Sequence, residues 1–110
     1  MTKIDIKPLS VNEAWQGKRF KTKKYLAYEK EVLLKLPAMR MPEPPYVATF
    51  EFGFSNAASD IDNPTKLVLD LIQKKYKIND KHIYEMHLYK TLVPRGQEFI
   101  SFEIKSWMRP

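Results

Sequence analysis

Four stretches of the chain alternate apolar and polar positions, and two repeat apolar positions at helical spacing. Residues 2 to 9 place Ile4 and Ile6 on one face and Lys3, Asp5 and Lys7 on the other, which predicts a half-buried strand ended by Pro8. Ser10 to Gly17 reads as a loop. Thr22 is placed to cap a helix running to about Leu36, since Tyr25, Tyr28, Val32, Leu33 and Leu36 fall on one stripe. Pro37 stops it, and Ala38 to Pro45, rich in proline and methionine, is a connecting loop. Tyr46 to Phe54 is the strongest strand pattern, with Phe50, Phe52 and Phe54 alternating with Thr49, Glu51 and Gly53.

After a small, polar loop over Ser55 to Ser59, Asn63 as N-cap and Pro64 as first helical residue predict a helix ending near Tyr76. Leu67, Val68, Leu71 and Ile72 form its buried stripe, with Lys66 and Asp70 on the polar side. Ile83 to Thr91 and Glu98 to Ser106 read as strands, with Val93 to Gln97 between them as a hairpin turn. Ile100, Phe102 and Ile104 share a face of the last strand. The order β-α-β-α-β-β predicts an α+β type of α/β domain over residues 1–110: a single mixed sheet with two main helices packed on it.

Composition narrows the chemistry. Apolar residues are 44% and charged residues 29% of the chain, a globular balance. No apolar run is long enough for a membrane span, and no basic n-region precedes an apolar h-region, so the expected setting is the cytoplasm, without membrane association. Cysteine is absent, which excludes disulfides, thiolate metal sites and cysteine nucleophiles. Only His82 and His87 are available as imidazole ligands, and both read as surface or packing residues. Any bound metal must therefore take oxygen ligands, which points to a hard ion such as magnesium or manganese. The net charge of +6 favours a polyanionic partner.

The densest oxygen cluster is Ser59-Asp60-Ile61-Asp62-Asn63-Pro64-Thr65-Lys66. Two carboxylates two residues apart on an extended segment point the same way, so Asp60 and Asp62 are placed to hold one divalent ion. Asp80, on the loop after the helix, is a candidate third ligand. Lys66 in the first helical turn is placed to offset charge developing on a phosphate. The same residues also read as a helix cap with no chemistry, and Lys66 with Asp70 as a surface ion pair worth about 0.3–0.5 kcal/mol.

A second cluster is basic. Five of the seven residues from Lys18 to Lys24 are cationic (Lys18, Arg19, Lys21, Lys23 and Lys24), with Trp15, Phe20 and Tyr25 interleaved. Such a segment reads as a phosphate-contacting loop whose aromatics stack on bases, since like charges this dense repel one another without a counter-charge. Its alternative is a solvated loop with aromatics packed on the sheet.

The residues in order are Ser10-Val11-Asn12 with Trp15, Gly17-Lys18-Arg19, a tyrosine-bearing helix, Asp60-Ile61-Asp62-Asn63 with Lys66 and Asp70, then Ile78-Asn79-Asp80. This series resembles the RusA family of Holliday junction resolvases of phage and prophage origin, and the resemblance covers the chain from about Ile4 to Trp107. The resemblance implies a homodimer with one active site per subunit. Magnesium, replaceable by manganese, would be held by Asp60, Asp62 and Asp80, and Lys66 would support catalysis. It implies hydrolysis of branched DNA, a four-way junction, to 5′-phosphate and 3′-hydroxyl ends in recombination and repair. Asn12, Trp15, Lys18, Arg19, Lys21, Lys23 and Lys24 are the expected DNA contacts. The family usually carries a pair of acids where this chain has Asn79 and Asp80. The alternatives are a non-catalytic protein that binds branched DNA, a flap or fork nuclease, and a basic protein-interaction domain.

Overall fold

The computed structural model describes residues 1–17 and 20–108. In chain order its elements are β1 (Thr2–Ile4), α1 (Val11–Ala14), β2 (Trp15–Gln16), β3 (Phe20–Lys21), α2 (Lys23–Lys35), β4 (Tyr46–Phe54), α3 (Thr65–Tyr76), a 3-10 turn (Asp80–His82), β5 (Ile83–Leu92) and β6 (Phe99–Ser106). One mixed sheet has the order β1-β6-β4-β5, and β2 pairs with β3 in a separate ribbon. The fold is α+β, with the helices packed on the mixed sheet. No helix among the described residues is long and apolar enough to cross a membrane.

The phenylalanine alternation of β4 builds the core. Phe50 and Phe52 are fully buried and stack with ring centroids 5.9 Å apart, and Phe102 of β6 lies 6.4 Å from Phe50 in direct register. Against this face pack Tyr25, Tyr28 and Val32 of α2, and Leu67, Val68, Leu71 and Ile72 of α3, as the helical spacing predicts. Thr22 caps α2, its hydroxyl accepting from the Tyr25 amide at 3.1 Å. On the opposite face Gly53 sits beneath Phe99. A Cβ there would lie 2.3 Å from the ring, so glycine is what lets the aromatic close over the strand.

Four local expectations are corrected. β1 stops at Ile4 because its partner β6 begins just beyond Ile100, the residue opposite. Ile6 stays buried without a ladder. The expected loop at residues 10–17 contains α1, nucleated by a capping box in which the Ser10 side chain and Glu13 satisfy each other's backbone donors. Asn63 does not cap α3; Pro64 stands at the cap with no side-chain hydrogen bond. Finally, β5 and β6 are not a hairpin. The β4-α3-β5 unit is a crossover, so β5 lies parallel to β4 on one side while β6 returns antiparallel on the other. Residues 93–98 thus cross the end of β4, held by the Val93 amide donating to the Phe54 carbonyl at 2.8 Å.

One core group is unpaired. The Tyr28 hydroxyl is buried without a hydrogen-bond partner among the described residues, and burial pushes its pKa far above the usual phenol range. Leaving such a donor unmet costs about 1–3 kcal/mol, so Tyr28→Phe is expected to raise stability by up to that amount. The unfolded chain releases this proton near pH 10 while the folded protein keeps it, so stability falls as pH rises above about 10. Denaturant melts from pH 8 to 11 check both points: the variant should be more stable and should lose part of the alkaline decline.

Candidate active site

The loop between β4 and α3 is fixed mainly through its backbone. The Lys90 ammonium of β5 donates to the carbonyls of Ala57 and Ser59. Asn56 accepts from the Ala58 amide at 2.8 Å through its side chain and from the Ser59 amide at 3.2 Å through its carbonyl. The Ser55 hydroxyl donates to Glu98 at 2.7 Å and holds that carboxyl below the usual range. Lys90→Met should cost less than about 1 kcal/mol, because these bonds are exposed. Amide exchange of Ala58 and Ser59 should nevertheless accelerate; unchanged exchange would show that the loop holds its shape without Lys90.

Asp60 follows this anchored loop and is exposed, its carboxylate accepting from the Asn63 side-chain amide at 3.3 Å. The segment is not extended as expected: Ile61 and Asp62 lie in a bend, and the Asp62 carbonyl accepts from the Thr65 amide at 3.2 Å. Asp60 and Asn63 line an open groove of about 670 Å³, and Asp62 lies outside its lining. The same groove is lined by Asn12 and Ser10, from the start of α1, and by Lys7 and Arg95. The sequence pattern marks Asn12 as a DNA contact, without placing it beside Asp60, and does not mark Lys7 or Arg95. Arg95 sits in a turn after β5, and only the passage of that turn across the end of β4 brings it here.

The groove's acids differ in what satisfies them. Glu13 is paired with Lys24 at 2.8 Å, which holds its carboxyl below the usual range, and Glu98 is held by Ser55 and the Gly96 amide. Lys7 and Arg95 form no ion pair among the described residues, which leaves them able to meet an anion. The N-terminus of α3, uncapped by any side chain, adds a partial positive charge beside Asp60.

The other expected residues gather on the flank of α3. The Lys66 ammonium lies 3.4 Å from Asp70 and 3.8 Å from Asp80. Gln73 accepts from the Asp80 amide at 2.8 Å and donates weakly to Asp70 at 3.5 Å, tying the turn to the helix. Asn79, where the resembled family has an acid, caps the 3-10 turn by accepting from the Lys81 amide. The oxygen-only donor set suits magnesium, which needs one or two carboxylates besides water and phosphate oxygens. The three expected ligands are not drawn into one cage, and among the described residues no three carboxylate or imidazole groups stand close enough to surround an ion.

Of the expected DNA contacts, Lys18 and Arg19 lie outside the described residues. Trp15 and Phe20 lie diagonally on the β2–β3 ribbon, Trp15 paired in register with Lys21 and Phe20 with Gln16, so they belong to opposite faces of it. Trp15 is edge-on to Tyr25 at 5.5 Å, and Phe20 is 71% exposed. The expected charge crowding is relieved in part: Lys21 pairs with Glu29 at 2.8 Å and lies over the Tyr25 ring, and Lys24 pairs with Glu13. Lys23 is exposed, with no ion pair among the described residues. No protein-family model matches the chain, and no curated protein matches it significantly.

Proposed function

We propose that the protein is a magnesium-dependent, structure-specific DNA endonuclease of the RusA type, which resolves four-way junctions by paired nicks as a homodimer in the cytoplasm. One observation carries the reading: Asp60 and Asn12, distant in sequence, line the same open polar groove at the N-terminus of α3. Asn12 lies on α1, which leads directly into the ribbon carrying Trp15, Phe20 and Lys21.

Asp60, which faces the groove, would hold a magnesium ion together with Asp62 and Asp80, both of which would have to turn toward it from where they stand; the ion would supply charge stabilisation at a phosphate and a more acidic water. Asn12 and Ser10, lining the same groove, offer hydrogen bonds to phosphate oxygens. The N-terminus of α3 adds its partial positive charge at the edge of the groove, where Asn63 and Pro64 line it. Lys66 exchanges its contacts with Asp70 and Asp80 for the developing charge on the phosphate, at little cost, since exposed ion pairs contribute about 0–1 kcal/mol. The ribbon aromatics stack on unpaired bases, and Lys23 and Lys24 contact the backbone.

A second reading, a non-catalytic protein that binds branched DNA, is favoured by the position of Lys66, which sits between Asp70 and Asp80 instead of leaving three aspartates free for an ion. The two readings separate on a panel of four-way junction, flap, fork and linear duplex. The expected result is magnesium-dependent conversion of the junction to nicked duplexes, with the linear duplex intact. Tight junction binding without cleavage at any magnesium concentration would establish the second reading, and faster cutting of flaps or forks would make the protein a different nuclease.

A further inference from the structure

The sheet's two edges are built differently. β1 is three residues long with Lys3 at its centre, which is how natural sheets blunt an edge. β5 is ten residues long, contains no proline or glycine, and is hydrogen-bonded to β4 alone. It also carries large apolar side chains into solvent: Tyr84 is 61% exposed, Met86 38%, Tyr89 55% and Leu92 59%. Three β5 residues stand in register with the buried row of β4, Met86 beside Ala48, Leu88 beside Phe50 and Leu92 beside Phe54. The core face of the sheet therefore continues past β4, with Trp107 packed on Tyr84 at one end and Leu88 partly buried, and stops at a long open edge, the arrangement that templates pairing with another strand.

We infer that β5 pairs antiparallel with β5 of a second copy of this chain, about a two-fold axis at Leu88, so that one sheet runs through the dimer. A two-fold axis normal to the sheet keeps its faces, so each residue meets one on the same face. With the axis at Leu88, Tyr84 opposes the partner's Leu92, Met86 the partner's Lys90, Glu85 the partner's Thr91 and His87 the partner's Tyr89. No like charges meet. The Lys90 ammonium is already held by the Ala57 and Ser59 carbonyls, leaving its aliphatic stem to face Met86. An axis at His87 would set that ring against itself. This self-complementarity is what selects a second copy over an unrelated partner. The inference rests on the homodimer of the proposed function and names its interface, while its test uses neither DNA nor metal, so the pairing and the cleavage chemistry fail separately.

Because the chain has no cysteine, single-cysteine variants report contacts cleanly. Sedimentation equilibrium of the intact protein at micromolar concentration should give a dimer. Leu88→Cys should cross-link to itself with a short bismaleimide, while Lys3→Cys on the other edge should not. Met86→Lys sets a lysine against the partner's Lys90 at two symmetric places and should raise the dimer dissociation constant roughly tenfold. Met86→Glu, equally polar but opposite in charge, should leave it unchanged or lower it. Circular dichroism confirms that both variants are folded. Three results would each overturn the pairing: a monomer at all concentrations, a dimer that cross-links in the Lys3→Cys variant and not in Leu88→Cys, or equal weakening by both Met86 substitutions.

Discussion

Asp60→Asn is expected to lower magnesium-dependent junction cleavage roughly 10³-fold, because a bound metal ion supplies several kcal/mol of charge stabilisation in the transition state. Junction binding should hold or tighten in the same variant, since removing a carboxylate from a groove that also presents Lys7 and Arg95 reduces repulsion with phosphate. Asp60 is exposed on an anchored loop and accepts one long hydrogen bond from Asn63, so the fold should not suffer. Single-turnover cleavage and gel-shift binding on the same junction separate the two effects. Cleavage at the parent rate would remove Asp60 from the chemistry, and loss of binding together with cleavage would make it a positioning residue for the loop.

The largest stability effect is expected at Phe52. Its ring is fully buried, stacked on Phe50 at 5.9 Å and beside Phe54 at 6.2 Å. Phe52→Ala removes this area and leaves a cavity between β4 and the helices, at a cost of about 3–5 kcal/mol. A domain of this size has about 5–15 kcal/mol in total, so the melting temperature should fall by roughly 15 °C or more. Phe20→Ala, in the exposed ribbon, should change stability by less than about 0.5 kcal/mol. Thermal melts of the two variants compare them directly; similar losses would mean that the phenylalanine row does not dominate the core.

The long elements were legible because their periods are strong. The period-2 run of β4 and the stripes of α2 and α3 bury what the spacing predicts. The capping box at Ser10 and Glu13 was equally legible and went unread, because four helical residues hold too few apolar positions to show a period. Sheet order was not legible. A Pro-Arg-Gly turn between two strands has the same local chemistry whether they pair or straddle a third, and the crossover through α3 decides it.

The site divides in the same way. Asp60 beside a helix start was readable. The face presented by Asp62 was not, because an Asp-x-Asp spacing fixes direction only in an extended segment, and here the chain bends to hand the Asp62 carbonyl to Thr65. Nor does any local pattern set Lys90 under the Asp60 loop or Arg95 at the groove, since both arrive through strand order. The pairing of Lys66 with Asp70 was expected from their spacing, whereas its approach to Asp80 depends on the turn that Gln73 and Asn79 hold in place.

The proposed chemistry requires a divalent ion at the Asp60 groove. Anomalous scattering from crystals soaked in manganese tests it most directly. A peak is expected in direct contact with the Asp60 carboxylate, shared with Asp62 or Asp80, and lost in crystals of Asp60→Asn. A peak held only by Asp70 and Asp80 with Lys66 displaced, or no ordered ion near α3 at saturating manganese, would contradict it.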